Sequence, residues 1–325
     1  MGVKVWMNFD SGKVDLSYLI QRFREAGYEV DAEAVPAGNA EAVLEKARKA
    51  DVVIAAMEEW NEEMLSAVAG KVRLIQKYGT GLDNIDLEAA GRHGIAVANI
   101  PGANAAAVAE VALLHILNAG RKFVPCVSGV KNGRWDSAVS GTELDGKTVG
   151  LLGYGRIARN LARMLGGFRV EILAYDPFVH NIPAGDGVTL TRSAEELFRR
   201  SDIVSLHIPS TGETKGSVGG NLFSLMKKGA YLVNTCRGDV VNEADLAEAL
   251  RSGRIAAAGL DVLAVEPPDG SHALLAMDNV FISSHMGAES YESAYRSQVI
   301  MGDNVERFLG GELVANIKNK EFLAG

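Results

Sequence analysis

Three side chains that move protons or hold anions follow three short apolar runs late in the chain. Arg237 follows Tyr231-Leu232-Val233-Asn234-Thr235-Cys236, Glu266 follows Gly259-Leu260-Asp261-Val262-Leu263, and His285 follows Val280-Phe281-Ile282-Ser283-Ser284. A histidine exchanges a proton with an alcohol oxygen near neutral pH, and a carboxylate beside it orients the ring and holds its charged form. A guanidinium is always charged and grips a carboxylate through two parallel hydrogen bonds. Taken singly, each has an ordinary explanation: a strand-end histidine, a solvated acid in a Glu-Pro-Pro turn, a surface arginine. Placed after neighbouring strands of one open α/β sheet they become a candidate site, because ligands bind beyond the carboxyl ends of such strands.

A second stretch supplies a partner for that chemistry. Lys147 to Leu152 reads as a buried strand, Gly153, Gly155 and Ala158 form G-x-G-x-x-A, and a helix runs from Arg156 to Leu165. A strand follows from Val170 to Tyr175, in which Val170, Ile172 and Ala174 alternate with Glu171, Leu173 and Tyr175, and Asp176 closes it. Gly153 permits the tight turn, Gly155 lets backbone approach a pyrophosphate, and the helix start (with Tyr154, Arg156 and Ile157 around it) offers unpaired N–H groups to phosphates. Asp176 is placed to accept hydrogen bonds from ribose hydroxyls and repels a 2′-phosphate, which favours NAD over NADP. A nicotinamide beside a guanidinium, a carboxylate and an imidazole is the equipment of hydride transfer to or from a hydroxy acid.

The elements that must position these groups alternate along the whole chain. Strands are predicted at Val3–Phe9, Tyr28–Glu33, Asp51–Ala56, Val72–Tyr78 and Ile95–Asn99. Helices lie between them, near Leu16–Ala26, Ala40–Ala50, Glu62–Val68 and Asp86–Arg92. A second series has strands near 147–152, 170–175, 202–208, 231–235, 257–261 and 280–284. Such alternation predicts an α/β protein of two doubly wound parallel-sheet domains, two copies of one architecture, one of them a Rossmann NAD-binding domain, with an active-site cleft between them. The expected boundaries are 1–101 with 288–325 for a substrate (catalytic) domain and 102–287 for the NAD-binding domain. The almost wholly apolar helix Ala105 to Gly120, with Asn104 as its N-cap, is expected to bridge the two, and a last helix from about Glu289 to Leu309 to cross back. The turn Tyr78-Gly79-Thr80-Gly81-Leu82-Asp83-Asn84 exposes successive backbone N–H groups, a plausible anion nest.

Composition narrows the function classes. The chain has 325 residues, 47% hydrophobic and 23% charged, with a formal charge of −8. That is room for two cores, and the negative balance argues against nucleic acid or an anionic membrane as partner. No apolar run reaches the roughly twenty residues of a membrane span. Met1 to Phe9 reads directly as a strand without a signal-peptide layout, and Cys126 and Cys236 form neither a C-x-x-C nor a disulfide framework. A cytoplasmic location and no metal site are expected.

On these residues the chain resembles the D-isomer-specific 2-hydroxyacid dehydrogenases, in particular their phosphoglycerate dehydrogenase-like branch. The resemblance runs from Gly79 to about Gly311. It is carried by Gly79-Thr80-Gly81-Leu82-Asp83-Asn84-Ile85-Asp86, Asn99-Ile100-Pro101-Gly102-Ala103-Asn104, the Gly153 turn, Asn234-Thr235-Cys236-Arg237-Gly238, Asp261-Val262 with Glu266-Pro267-Pro268, and His285-Met286-Gly287. It implies that Arg237 polarises the carbonyl and holds the carboxylate, that His285 is the catalytic histidine, and that Glu266 is its paired acid. By the same resemblance the backbone amides of Thr80 and Gly81 bind the substrate carboxylate, with Lys77, Gly79 and Asn104 as further substrate-binding candidates. The resemblance also puts Asp261 near the nicotinamide carboxamide and His207, Pro209 and Thr214 along the adenosine side, and Thr235 and Cys236 are further cofactor-binding candidates. It also implies a homodimer through the NAD-binding domain, which Trp135 and the segment Lys122 to Asp145 would fit.

Departures bear on the substrate. Phosphoglycerate dehydrogenases place a basic residue in the loop after the third strand, where this chain has Met57-Glu58-Glu59-Trp60. Their Trp-x-Arg segment is Trp135-Asp136-Ser137 here. Formate dehydrogenases carry Gln at the position of Glu266. The expectation is an NAD-dependent oxidoreductase of a small, unphosphorylated D-2-hydroxy acid and its 2-keto acid. The alternatives are D-3-phosphoglycerate oxidation in serine synthesis and, from another class, an NADH-sensing binding protein with little catalysis. Cys236 reads as a buried strand-end residue before a reactive thiol.

Overall fold

The computed structural model describes residues 2–9, 15–36, 38–135, 140–183 and 185–323. The chain forms two compact units, Met1–Asn104 with Glu289–Gly325, and Ala105–Ala288. Asp136 and Ser137, part of the tryptophan segment considered above, lie outside the described residues.

The first unit carries β1 (Lys4–Met7), α1 (Ser17–Glu25), β2 (Glu29–Asp31), α2 (Ala40–Ala47), β3 (Val52–Ala55), α3 (Glu62–Val68), β4 (Leu74–Lys77), α4 (Leu87–Arg92) and β5 (Ala96–Ala98). Its five strands are all parallel, in the order β2-β1-β3-β4-β5. Every residue of β3 and β4 is buried, because helices cover both faces of the sheet.

The second unit carries α5 (Ala105–Arg121), α6 (Phe123–Lys131), β6 (Thr148–Leu152), α7 (Arg156–Leu165), β7 (Glu171–Tyr175), β8 (Val188–Leu190), α8 (Ala194–Arg200), β9 (Ile203–Leu206), α9 (Gly220–Leu225), β10 (Ala230–Asn234), α10 (Glu243–Arg251), β11 (Ile255–Leu260) and β12 (Val280–Ile282). Its seven parallel strands run β12-β11-β10-β9-β6-β7-β8, so the order reverses between β9 and β6, the arrangement of a dinucleotide-binding sheet. The two sheets are therefore not copies of one architecture. Both are doubly wound, but they differ in strand number and in where the order turns.

Local chemistry explains the elements around the turn. α7 buries Ala158, Leu161, Ala162 and Leu165, spaced three and four apart, and leaves Arg156 exposed at its start. Burying Leu161 and Leu165 stabilises the unit by about 2 kcal/mol each. β7 does not alternate as expected: Ile172, Leu173 and Ala174 are all buried. A strand covered on both faces has no solvent side, so the period of two disappears. The helix α5 lies wholly in the second unit, packed on α7, β10 and β11.

The last helix, α11 (Tyr291–Leu309), starts at the Ser290 cap, whose side chain accepts from the Ser293 N–H, and packs on α1 and β4 of the first unit. Its buried face is partly polar. Gln298 Oε1 accepts from the Leu19 N–H at 3.1 Å, and Asn304 Nδ2 donates to Gln76 Oε1 at 2.8 Å and to the Asn99 carbonyl at 3.1 Å. Among the described residues, no helix is long and apolar enough to cross a membrane.

Candidate functional site

The glycine turn joins β6 to α7. Gly153 sits at φ +89°, and a Cβ there would lie 2.7 Å from the His207 carbonyl oxygen, so the strand-end turn closes against β9 only with glycine. Gly155 differs. Its φ is −79°, and a Cβ built on it meets nothing within 4 Å. The first N–H groups of α7 lack the i−4 partner that later turns have, and the Gly155 cap makes no side-chain hydrogen bond to them. A pyrophosphate fits such a cradle.

Asp176 ends β7 beside this turn. Its Oδ2 accepts from the Tyr154 N–H at 2.9 Å and its Oδ1 from the Phe178 N–H at 2.9 Å. Each oxygen keeps a lone pair for a ribose hydroxyl. Tyr154 is buried under the Arg159 guanidinium, 4.9 Å from its ring centre, and Ile157 packs into the core below.

His207, just after β9, is half-buried, and its Nε2 has no hydrogen-bond partner among the described residues; burial pushes the ring down to about 4, so it is neutral. Thr214 Oγ1 donates to the Pro209 carbonyl at 2.6 Å, tying the 209–214 loop to itself. Thr235 Oγ1 is buried just after β10, with no hydrogen-bond partner among the described residues. Burial pushes the Cys236 thiol up to about 11, so it stays protonated and is no nucleophile.

Arg237, Glu266 and His285 follow β10, β11 and β12, three adjacent parallel strands whose carboxyl ends share one edge. Arg237 Nη1 donates to the Cys236 carbonyl at 2.7 Å, and Asn234 Nδ2 donates to the Arg237 carbonyl at 2.9 Å, which fixes the turn. Gly238 packs backbone to backbone on Leu263 and Ala264, so the loop after Arg237 interlocks with the one carrying Glu266. Glu266 Oε1 accepts from the Leu263 N–H at 2.9 Å, and its Oε2 lies 2.7 Å from His285 Nδ1. A carboxylate only accepts, so Nδ1 carries the hydrogen and Nε2 is the nitrogen that exchanges a proton.

Glu243 and His272, which the sequence reading did not single out, brace this loop. Glu243 Oε1 accepts from the Ala264 N–H at 2.9 Å, and its Oε2 lies 3.1 Å from His272 Nε2. Asp261 is buried and faces the turn that carries His285. Its oxygens take the Ser283 hydroxyl and the N–H groups of Met286 and Gly287.

The anion-nest turn of the first unit is held from β5: Asn99 Nδ2 donates to the Thr80 carbonyl at 2.7 Å, and the Ile100 N–H donates to the Gly79 carbonyl at 3.2 Å. Gly79 has φ +137°, Gly81 is half-buried, and Asn104 is half-buried immediately before α5. Lys77 is buried, not the solvated strand-end lysine its position allowed, and its Nζ donates to the Ala56 carbonyl. In the loop after β3, burial raises the Glu58 carboxyl above its ordinary value, partly offset by hydrogen bonds from the Glu58 and Ala56 backbone and then by Lys77. Glu59 is exposed and Trp60 buried, so that loop presents no cation.

Residues 113–287 match the family model of the D-isomer specific 2-hydroxyacid dehydrogenase, NAD binding domain. The chain is 37% identical over 281 residues to a D-3-phosphoglycerate dehydrogenase of Methanocaldococcus jannaschii, covering 86% of this chain and 53% of that protein. It thus spans about half the length of the curated phosphoglycerate dehydrogenases it matches. It is 36% identical over 289 residues to a glyoxylate reductase of Aeropyrum pernix, covering 86% of each. The crystal structure of a glyoxylate reductase from Paecilomyes thermophila superposes with a TM-score of 0.86 at 27% identity, over 96% of this chain and 97% of that one.

Proposed function

Because the chain belongs to the D-isomer specific 2-hydroxyacid dehydrogenases, we propose that it interconverts a small D-2-hydroxy acid and its 2-keto acid with NAD as hydride carrier. The observation that carries the reading is the 2.7 Å contact of Glu266 with His285 Nδ1, which leaves Nε2 to exchange a proton. In the reductive direction protonated His285 gives its Nε2 proton to the substrate oxygen. Glu266 holds the imidazolium before that transfer, and Arg237 stabilises the negative charge growing on the oxygen. When bound, the cofactor supplies the hydride to C2. The Gly153–Gly155 turn and the start of α7 hold its pyrophosphate, and Asp176 its ribose. In oxidation His285 takes the hydroxyl proton instead.

An unphosphorylated substrate such as glyoxylate or hydroxypyruvate is favoured. The 57–60 loop offers acids and apolar side chains where a phosphate needs cations. The likeness to a phosphoglycerate dehydrogenase supports the phosphorylated substrate as the second reading. We also propose self-association through the second unit, where Leu114, Phe123, Val124 and Trp135 are exposed, Trp135 by 84%. Two unpaired cysteines suit a reducing compartment, the cytoplasm.

The test is NADH consumption across glyoxylate, hydroxypyruvate, pyruvate and 3-phosphohydroxypyruvate. Turnover with the first two and little with the phosphate ester is expected. Preference for the ester selects the second reading, and no turnover with any of them returns the chain to a binding role.

A further inference from the structure

The mechanism leaves one buried polar residue unexplained. His115 lies on α5 among buried Ala112, Ile116 and Ala119 and is only 6% exposed. A polar ring in such a setting is unfavourable unless it is hydrogen-bonded. Its Nε2 is 3.0 Å from Ser283 Oγ, and Ser283 Oγ is 2.6 Å from Asp261 Oδ1. The Asp261 carboxylate accepts, so the Ser283 hydroxyl donates to it. The serine oxygen can then only accept, which puts a hydrogen on His115 Nε2.

Asp261 ends β11 and grips the turn after β12 three more times. Its carbonyl accepts from the His285 N–H at 2.9 Å, its Oδ1 from the Met286 N–H at 2.9 Å, and its Oδ2 from the Gly287 N–H at 2.7 Å. His285 needs that grip. Its φ is +54°, a left-handed backbone that L-residues other than glycine rarely adopt. Two glycines make room for the chain of contacts. A Cβ on Gly259 would lie 2.6 Å from His115 Cβ, and one on Gly287 would lie 2.8 Å from Asp261 Oδ2.

We propose that His115, acting through Ser283 and Asp261, is a positioning residue that fixes the strained turn carrying His285 and so aims its imidazole at Glu266. The inference rests on reading His285 as the proton donor. The titratable groups around the turn are Asp261 from β11, Glu266 from the loop beyond it and His115 from α5, with Arg237 following the neighbouring strand β10. Burial holds the His115 ring below its ordinary value, with Asp261 pulling the other way, so the ring enters the network neutral.

The test substitutes His115→Leu, His115→Gln and Ser283→Ala, with two readouts. One is the NMR titration of the His285 ring, identified by the signal missing in His285→Gln. The other is kcat and KM with a 2-keto acid and NADH. A loosened turn weakens the contact with Glu266. In His115→Leu and Ser283→Ala the His285 titration should therefore move to lower pH. Turnover should fall about tenfold, with KM for NADH within about twofold. Glutamine keeps an N–H near the position of Nε2 and should restore most of both. An unmoved His285 titration in folded His115→Leu or Ser283→Ala protein overturns the proposal, whether turnover is kept or lost. Should His115→Leu fail to fold, Ser283→Ala decides alone. A wild-type chain inactive on every keto acid counts against the functional reading, and the titration still decides this one.

Discussion

The two glycines of the turn after β6 should fail in opposite ways when replaced by alanine. At Gly153 the backbone sits at φ +89°, and a methyl would meet the His207 carbonyl oxygen at 2.7 Å and its carbon at 2.8 Å. A left-handed L-residue costs about 1–2 kcal/mol, and forcing a methyl into close-packed backbone costs about as much again. For a unit spanning Ala105–Ala288, a loss of about 3 kcal/mol lowers the melting temperature by roughly 6–12 °C. At Gly155 the backbone is extended and the methyl meets nothing within 4 Å, so Gly155→Ala should melt within about 2 °C of the parent. On the reading that this turn cradles the pyrophosphate, a methyl at the cap of α7 keeps the phosphates from the backbone and should weaken NADH about tenfold or more. Thermal melts and NADH fluorescence titrations of both variants separate the effects. Parental NADH affinity in Gly155→Ala would mean that the phosphates sit elsewhere. A parental melting temperature in Gly153→Ala would refute the close approach of the turn to β9.

Two further outcomes follow from the charges around the site. Glu266→Gln keeps the shape beside His285 Nδ1 and removes the charge that holds the imidazolium. The acid limb of the oxidation-direction pH profile should move to lower pH, and an unmoved limb would show that the pair does not act together. His207, neutral and pushed down to about 4 against an ordinary 6.5, takes up its proton more readily in the unfolded chain. Its effect is therefore absent above 6.5, and stability is lost as pH falls from there towards 4. At pH 5 this amounts to about 2 kcal/mol. Denaturant unfolding at pH 7.5 and 5 should show His207→Leu losing about that much less than the parent, and equal losses would exclude His207 as the source.

The family, the two parallel-sheet α/β folds and the glycine turn between β6 and α7 were legible in the sequence because local signals carry them. Glycines at fixed offsets, a small third residue and a terminal acid each answer a requirement within one βαβ unit. Strand order was not legible. The order β2-β1-β3-β4-β5 of one sheet and the seven-strand order of the other arise from contacts between distant segments, and both sheets present similar buried strands. The alternation expected in β7 failed for the same reason, since neighbours on both faces removed its solvent side. The helix α6 lies in the segment Lys122 to Asp145, which was read as fitting a dimer contact and not as a helix. The surroundings of Lys77, Glu58 and Asp261 were not legible either, because their burial and their hydrogen bonds come from other segments of the chain. A lone histidine inside the apolar run Ala112-Leu113-Leu114-His115-Ile116-Leu117 was the visible sign of the network beneath His285, but its partner Ser283 lies 168 residues away.

The central claim is that His285 passes the proton while the glycine turn, far along the sheet edge, holds the cofactor. Single-turnover oxidation of bound NADH by a 2-keto acid, compared between the parent and His285→Gln, tests it most directly. The account predicts that the variant binds NADH as the parent does and loses turnover by about a hundredfold or more. Turnover close to the parent's, or NADH affinity lost in proportion to rate, would contradict it.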